Sequence, residues 1–206
     1  ALRRLQQQWL PNSKWVGTHN VLGIVAPTVE AATQTPWAVT SPQYPQKNNA
    51  DTIAVFGTMR TIASGVFPEE IRKRCPKVTV IQQMCSDLAG AIEDKRPESE
   101  LDVLVADGVQ SALSQTSKGL PHQAILGCTH FPLVEDLFRR HLPPSTRILS
   151  QPVIVADSFE DYLQRRPNFL VGNEGQRLTL LTTGDPQDVS AKARVFWPDV
   201  AAFEKA

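Results

Sequence analysis

The residues best suited to chemistry are Gly127-Cys128-Thr129-His130-Phe131-Pro132, directly after the apolar run Ala124-Ile125-Leu126. A short buried strand that ends at a thiol and restarts as a helix at a proline sets the sulfur at a strand tip beside unpaired helix amides. Pro132 suits the first helical position, because its missing N–H and fixed φ cost nothing there. Leu133, Val134, Leu137 and Phe138 then recur at helical spacing. A free thiol titrates near pH ~8.5, and helix amides or an adjacent imidazolium favour its thiolate. His130, two residues on, is close enough to exchange a proton with Cys128, and the thiol is therefore expected to ionise readily. The other reading of Cys128 is a small buried residue at a strand end, where most free cysteines lie. A Cys-x-His metal site finds no second pair of ligands at zinc-like spacing, so no metal is expected.

The elements that must position this thiol follow from periodicity. Short β-branched runs predict strands over 21–26, 52–57, 78–82, 124–127, 147–150 and 178–182. Helical spacing appears over 2–10, 28–33, 62–74, 88–93, 101–113, 133–142, 153–163 and 189–196. Alternation of this kind predicts an α/β protein with a largely parallel sheet, whose ligands gather at the carboxyl ends of strands. Segment 35–49 carries three prolines among polar residues and reads as an exposed loop, and 167–176 as a shorter one. The turn Gly57-Thr58-Met59-Arg60-Thr61 leaves a strand with two hydroxyls, which makes either a small anion nest or an ordinary threonine-capped turn. Thr182, Thr183 and Gly184 read as structural, with Asp185 capping a helix that Pro186 begins.

Composition sets wide bounds. The 206 residues, 41% hydrophobic and 20% charged, suffice for a sizeable core in one or two domains. A balance of 21 basic against 21 acidic residues recommends neither a nucleic acid nor an anionic membrane as partner. No apolar run nears the ~18 residues of a membrane span, and no secretory pattern is evident. Cys75, Cys85 and Cys128 form neither a Cys-x-x-Cys pair nor an even-numbered framework, as expected in a reducing cytoplasm. Cys75, before Pro76, reads as structural.

The stretch 126–133 around the thiol resembles the second catalytic cysteine motif of the glutamate racemase family. Residues 55–65 are similar to that family's substrate-binding strand and turn, 21–27 to its interdomain strand, and 180–186 to its closing strand and turn. The order of the four motifs carries the likeness, and His130 stands where related aspartate racemases have a glutamate. The resemblance implies a two-domain racemase fold and interconversion of L- and D-glutamate by two facing cysteines. It implies no cofactor, a role in peptidoglycan precursor supply, and a cytoplasmic homodimer. It assigns Cys128 as acid or base, His130 as its tuner and Glu93 as their support, with Thr58, Thr61 and Thr129 holding substrate. Arg60 replaces a glycine common in the family's turn, and Cys85 matches a family cysteine outside the reactive pair.

The segment that would carry the first cysteine, with its Asp-Ser and Pro-Tyr-Gly motifs, is expected to lie before residue 1. On that reading 20–145 form the second domain, and 1–19 with 146–206 are pieces of an incomplete first domain. The 206 residues alone would then be inactive. The alternative is a racemase-derived binding or scaffold domain for an acidic amino acid, without catalysis. A one-cysteine decarboxylase of the same superfamily is disfavoured by His130.

Overall fold

The computed structural model describes residues 2–46, 52–116, 119–169 and 179–206. The helices are α1 (Leu2–Arg4), continued by a π turn over Leu5–Trp9 and a 3-10 turn over Leu10–Asn12, then α2 (Val25–Thr33), α3 (Met59–Ala63), α4 (Val66–Arg74), α5 (Leu88–Glu93), α6 (Glu98–Ser114), α7 (Glu135–His141), α8 (Gln151–Arg165) and α9 (Pro186–Ala193). The strands are β1 (Thr52–Gly57), β2 (Thr79–Met84), β3 (Gln123–Leu126), β4 (Arg147–Ser150), β5 (Leu181–Thr182) and β6 (Glu204–Lys205).

Four strands form one parallel sheet in the order β2-β1-β3-β4, with Ala54 opposite both Ile81 and Ala124, and Ile125 opposite Leu149. Every residue of β1 and β3 is buried, because helices cover both faces. Alternate side chains go to opposite layers. Ala54, Phe56, Ala124 and Leu126 pack against Leu88 and Ile92 of α5, Val105, Val109 and Ala112 of α6, and Phe138 of α7. Ile53, Val55, Ile125 and Leu149 pack against Val29 and Ala32 of α2 and Phe67 and Ile71 of α4. The chain leaves β1 for β2 on one side and returns with β3 on the other. The point where strand order reverses, and where a crevice opens in such sheets, therefore lies between the carboxyl ends of β1 and β3.

These strands and helices match the expected α/β alternation, except that the helix expected over 62–74 is broken at Ser64-Gly65 into α3 and α4, with three further differences. Residues 21–26 were expected as a strand, yet 21–24 pair with no strand, and the Val21 carbonyl accepts instead from Gln6 Nε2 at 2.7 Å. Helix α2 takes over at Val25, since Pro27 fits a first turn and Thr28 returns its hydroxyl to the Ile24 carbonyl at 2.8 Å. Strand β4 pairs with β3, so the sheet that carries Cys128 takes its fourth strand from beyond residue 145, the expected domain boundary. At the chain's end, β5 is confined to Leu181–Thr182 and pairs in parallel with β6, which no periodicity announced in two residues. Leu178 lies outside the described residues, as do 47–49 and 170–176 of the two expected loops.

The proline-rich segment after α2 has little secondary structure and is nevertheless pinned. Arg74, 3% exposed, donates to Glu70 and to the Trp37 carbonyl at 2.8 Å, and its guanidinium lies over the Trp37 ring at 4.3 Å. Buried and bonded on both sides, that cation joins the loop to α4.

Gly127, just past β3, donates its amide to the Phe56 carbonyl at 2.8 Å. A Cβ on it would sit 3.0 Å from that same carbonyl oxygen and 3.2 Å from Phe67 Cε2. Since the nearer atom is backbone, relief requires separating β3 from β1. Gly127→Ala is expected to destabilise the fold by roughly 1–3 kcal/mol, measured by denaturant unfolding, with an unchanged dependence on denaturant concentration.

Candidate active site

Three strand tips lie level where the strand order reverses. The Gly57 carbonyl accepts from the Cys85 amide at 3.0 Å while Gly127 binds Phe56, so the turns after β1, β2 and β3 are set side by side. From the β1 tip, Thr58 caps α3: its hydroxyl accepts from the Thr61 amide at 3.5 Å and lies 3.2 Å from Thr61 Oγ1. The Thr61 methyl packs on Gly57 and reaches toward Gly127, 3.6 Å from where a Cβ would stand there. This pair of hydroxyls is thus within one side chain's breadth of the Cys128 turn, and the capped-turn geometry is the one realised.

From the β3 tip, Cys128, Thr129 and His130 lead into a 3-10 turn, Phe131–Val134, before α7 begins at Glu135. The helix was expected to start at Pro132. It starts one residue earlier and in the tighter form, which a proline within the first turn permits. Cys128 Sγ lies 3.7 Å from His130 Nδ1, which is also 3.4 Å from Thr129 Oγ1. On the other side of the ring, Nε2 lies 2.6 Å from Glu93 Oε1. Glu93 closes α5, the helix that follows the β2 tip, so consecutive strand-helix units supply the carboxylate and the thiol. A carboxylate can only accept, so Nε2 carries a hydrogen toward Glu93, and Nδ1 is the nitrogen turned to the thiol.

Burial along this line is graded. Cys128 is 8% exposed, the His130 side chain 20% and the Glu93 side chain 38%. A sequence view had the thiol ionising readily, and here the structure corrects it. Loss of water around the sulfur raises its pKa, the His130 and Phe131 amides pull it back only in part, and the Glu93 charge raises it further. The expected amide dipoles are present; desolvation outweighs them. Cys128 therefore rests as a thiol.

The other cysteines stand apart from this chemistry. Cys85 points its sulfur at α6, 2.9 Å from where a Cβ on Gly108 would be, and burial pushes it up to about 12. Cys75 is buried in the opposite core layer, where its amide closes α4 on the Ile71 carbonyl. Asp185 accepts from the Gln187 and Asp188 amides and caps α9 behind Pro186. One contact was not anticipated from sequence. Phe196, just past α9, sets its ring against His130 at 4.9 Å between centroids and 87° between planes. Among the described residues no cluster of three or more His, Cys, Asp or Glu side chains could hold a metal ion, and no helix is long and apolar enough to cross a membrane.

No family model matches the chain. Curated relatives do. It is 42% identical to the glutamate racemase of Phenylobacterium zucineum over 209 residues, covering all of this chain and 73% of that protein. The glutamate racemases of Jannaschia sp. and Caulobacter sp. are 40% and 42% identical, with 99% and 100% of this chain and 71% and 73% of theirs covered. Among solved structures, a glutamate racemase isoform from Bacillus anthracis superposes with a TM-score of 0.72 at 21% identity. One from Francisella tularensis in complex with D-glutamate gives 0.70 at 15%. Each match covers 92% of this chain and 64% of the solved one, and shows the shared α/β racemase fold.

The raised thiol makes a prediction about reactivity. With its pKa above the ordinary value, the thiolate fraction of Cys128 keeps growing as pH rises through and beyond that value. Native-state alkylation, read site by site by mass spectrometry, is expected to rise roughly tenfold per pH unit from 7 to 9 at Cys128. Cys85 is expected to react last. A rate at Cys128 that levels off below pH 8 would contradict the desolvated thiol.

Proposed function

The chain belongs to the glutamate racemase family, and we propose that it acts on one face of glutamate in cofactor-independent racemisation, with Cys128 as the proton-exchanging group. The observation that carries this reading is the Glu93–His130–Cys128 line, which ends at the strand-order reversal of the sheet. Thr58 and Thr61 from the turn after β1, and Thr129 from the turn after β3, are assigned to the substrate's α-carboxylate and amine.

The chemistry follows from the environment of the sulfur. A Cα–H bond beside an ammonium and a carboxylate is a far weaker acid than any thiol, so the base that breaks it must be strong. Desolvation makes the Cys128 thiolate more basic, at the cost of its resting population. In one direction a base on the far face takes the Cα proton, and Cys128 delivers its Sγ proton to the near face. The sulfur is left as a thiolate beside the His130 and Phe131 amides. In the other direction that thiolate takes the proton. His130 faces the thiol with Nδ1, and the Glu93 carboxylate at Nε2 holds the ring in that orientation. No bond other than C–H and S–H changes, and no electrons leave the substrate.

The exchange needs a second thiol on the opposite face. Cys85 points into α6 and Cys75 into the other core layer, so neither supplies it. On this reading these 206 residues by themselves interconvert nothing. Joined to the first-cysteine segment of a family member, they form the two-base site, with division into racemase-type domains near the crevice. The physiological setting proposed is D-glutamate supply for peptidoglycan in the cytoplasm, by a homodimer.

Deuterium wash-in at Cα tests the assignment. In D2O the joined protein is expected to label both glutamate enantiomers, and these 206 residues neither. Cys128→Ser in the joined protein should abolish labelling of at least one enantiomer. Glu93→Gln should slow turnover roughly 10- to 100-fold, short of the full 10²–10⁴-fold worth of an acid-base group, since the thiol remains. Robust labelling of both enantiomers by the Cys128→Ser protein would rule out the role given to this sulfur.

A further inference from the structure

The His130 ring is held in its own plane by what its two nitrogens face, Cys128 and Thr129 at Nδ1 and Glu93 at Nε2. Those contacts bear on the two nitrogens, and rotation about the Cβ–Cγ bond would carry both of them off Cys128 and Glu93 together. A contact with the ring outside that line opposes this turn. The Phe196 ring meets the imidazole at 87° and 4.9 Å, an edge-to-face approach that aromatic quadrupoles favour.

Phe196 is itself fixed, although 45% exposed. It sits in the turn after α9, where its amide and that of Trp197 both donate to the Ala193 carbonyl at 3.0 Å. The turn is tied down again beyond it. Val200 is buried and donates to the Trp197 carbonyl at 3.0 Å, and the Phe203 amide donates to Ser190 Oγ of α9 at 2.9 Å. A mobile surface aromatic would have none of these restraints.

We propose that Phe196 is a positioning residue for the proton-transfer line, setting the plane of the His130 ring so that Nδ1 stays on Cys128 Sγ while Nε2 stays on Glu93. Through it, the turn after α9 becomes part of the site although it contributes no group to the proton path. The functional meaning of this inference rests on the racemase reading; the geometric claim does not. The titratable groups facing the ring are Cys128 from the β3 tip and Glu93 from α5, with Cys85 behind the thiol.

Two readouts on the 206-residue chain test it without glutamate. The first is the nitrogen chemical shifts of His130, expected to show one tautomer with hydrogen on Nε2 in the unaltered protein and averaging between the two tautomers in Phe196→Ala. The second is alkylation of Cys128 against pH, with each protein scaled to its own high-pH plateau so that easier access is separated from lost support. Phe196→Ala is expected to shift the midpoint downward, since the Nδ1 acceptor that favours the S–H form is lost, raising the scaled rate at pH 7.5 about two- to tenfold, the worth of one aromatic pair. Phe196→Tyr, which keeps the ring, should restore both readings. Phe196→Leu keeps only bulk and should match the alanine protein, and it carries the test if the latter unfolds by circular dichroism. Unaltered tautomer and midpoint in the alanine or leucine protein would overturn the proposal, as would equal defects in the tyrosine protein. Failure of the racemase reading would appear in the wash-in experiment and leave these two readouts standing.

Discussion

Everything at the crevice hangs on how closely β3 can lie beside β1 at its carboxyl end. The Gly127 amide to the Phe56 carbonyl, at 2.8 Å, extends the parallel ladder one residue past β3, into ground that a side chain would occupy. With that rung in place, the Thr58-Thr61 turn and the Cys128 turn share one edge of the sheet. Without it they separate, and the threonine hydroxyls and the thiol no longer stand side by side. The requirement is steric before it is chemical: a backbone oxygen cannot step aside as a side chain can.

At the sulfur two opposing influences meet, and their balance sets its character. Backbone amides at the start of a helical turn stabilise negative charge, which is the usual way to activate a cysteine. Here the thiol also belongs to the core layer with Phe131 and Phe138, and the removal of water dominates. Activation for nucleophilic attack asks for a low pKa. Abstraction of a weakly acidic carbon-bound proton is served better by a basic thiolate, so the balance fits proton exchange at carbon and fits thiol chemistry on electrophiles less well.

Much of this was open to reading in the chain. Residues 52–57 form a near-continuous apolar run rich in Cβ branching, as strands buried on both faces do, and 147–150 a shorter one around Ile148 and Leu149; both form over those bounds. The thiol, the imidazole and the two threonines fall at strand tips because Gly and Thr interrupt apolar runs there. What could not be read has physical causes. Residues 21–24 are apolar enough for a strand, but strands need neighbours, and pairing is a tertiary fact. Strand β6 is two residues long and has no period to detect. The direction of the thiol shift depends on how much water reaches Sγ, a property of the whole packed layer. The Phe196 contact joins residues far apart in sequence, and a single aromatic after a helix gives no sign of what it will touch. The partnership of Glu93 with His130 came from family likeness, since a helix-end carboxylate beside Asp94 and Lys95 otherwise looks like solvated surface.

The gradient of exposure along Cys128, His130 and Glu93 has one more implication. A polar chain closed at both ends can only shuffle charge among its members, whereas this one has an inner terminus in the core and an outer terminus that water can wet. The wet end lets water solvate the Glu93 carboxylate, so the buried end shares a polar line with solvent although water itself hardly reaches the sulfur. The helix end that places Glu93 near the surface is what keeps that line from being sealed inside the protein.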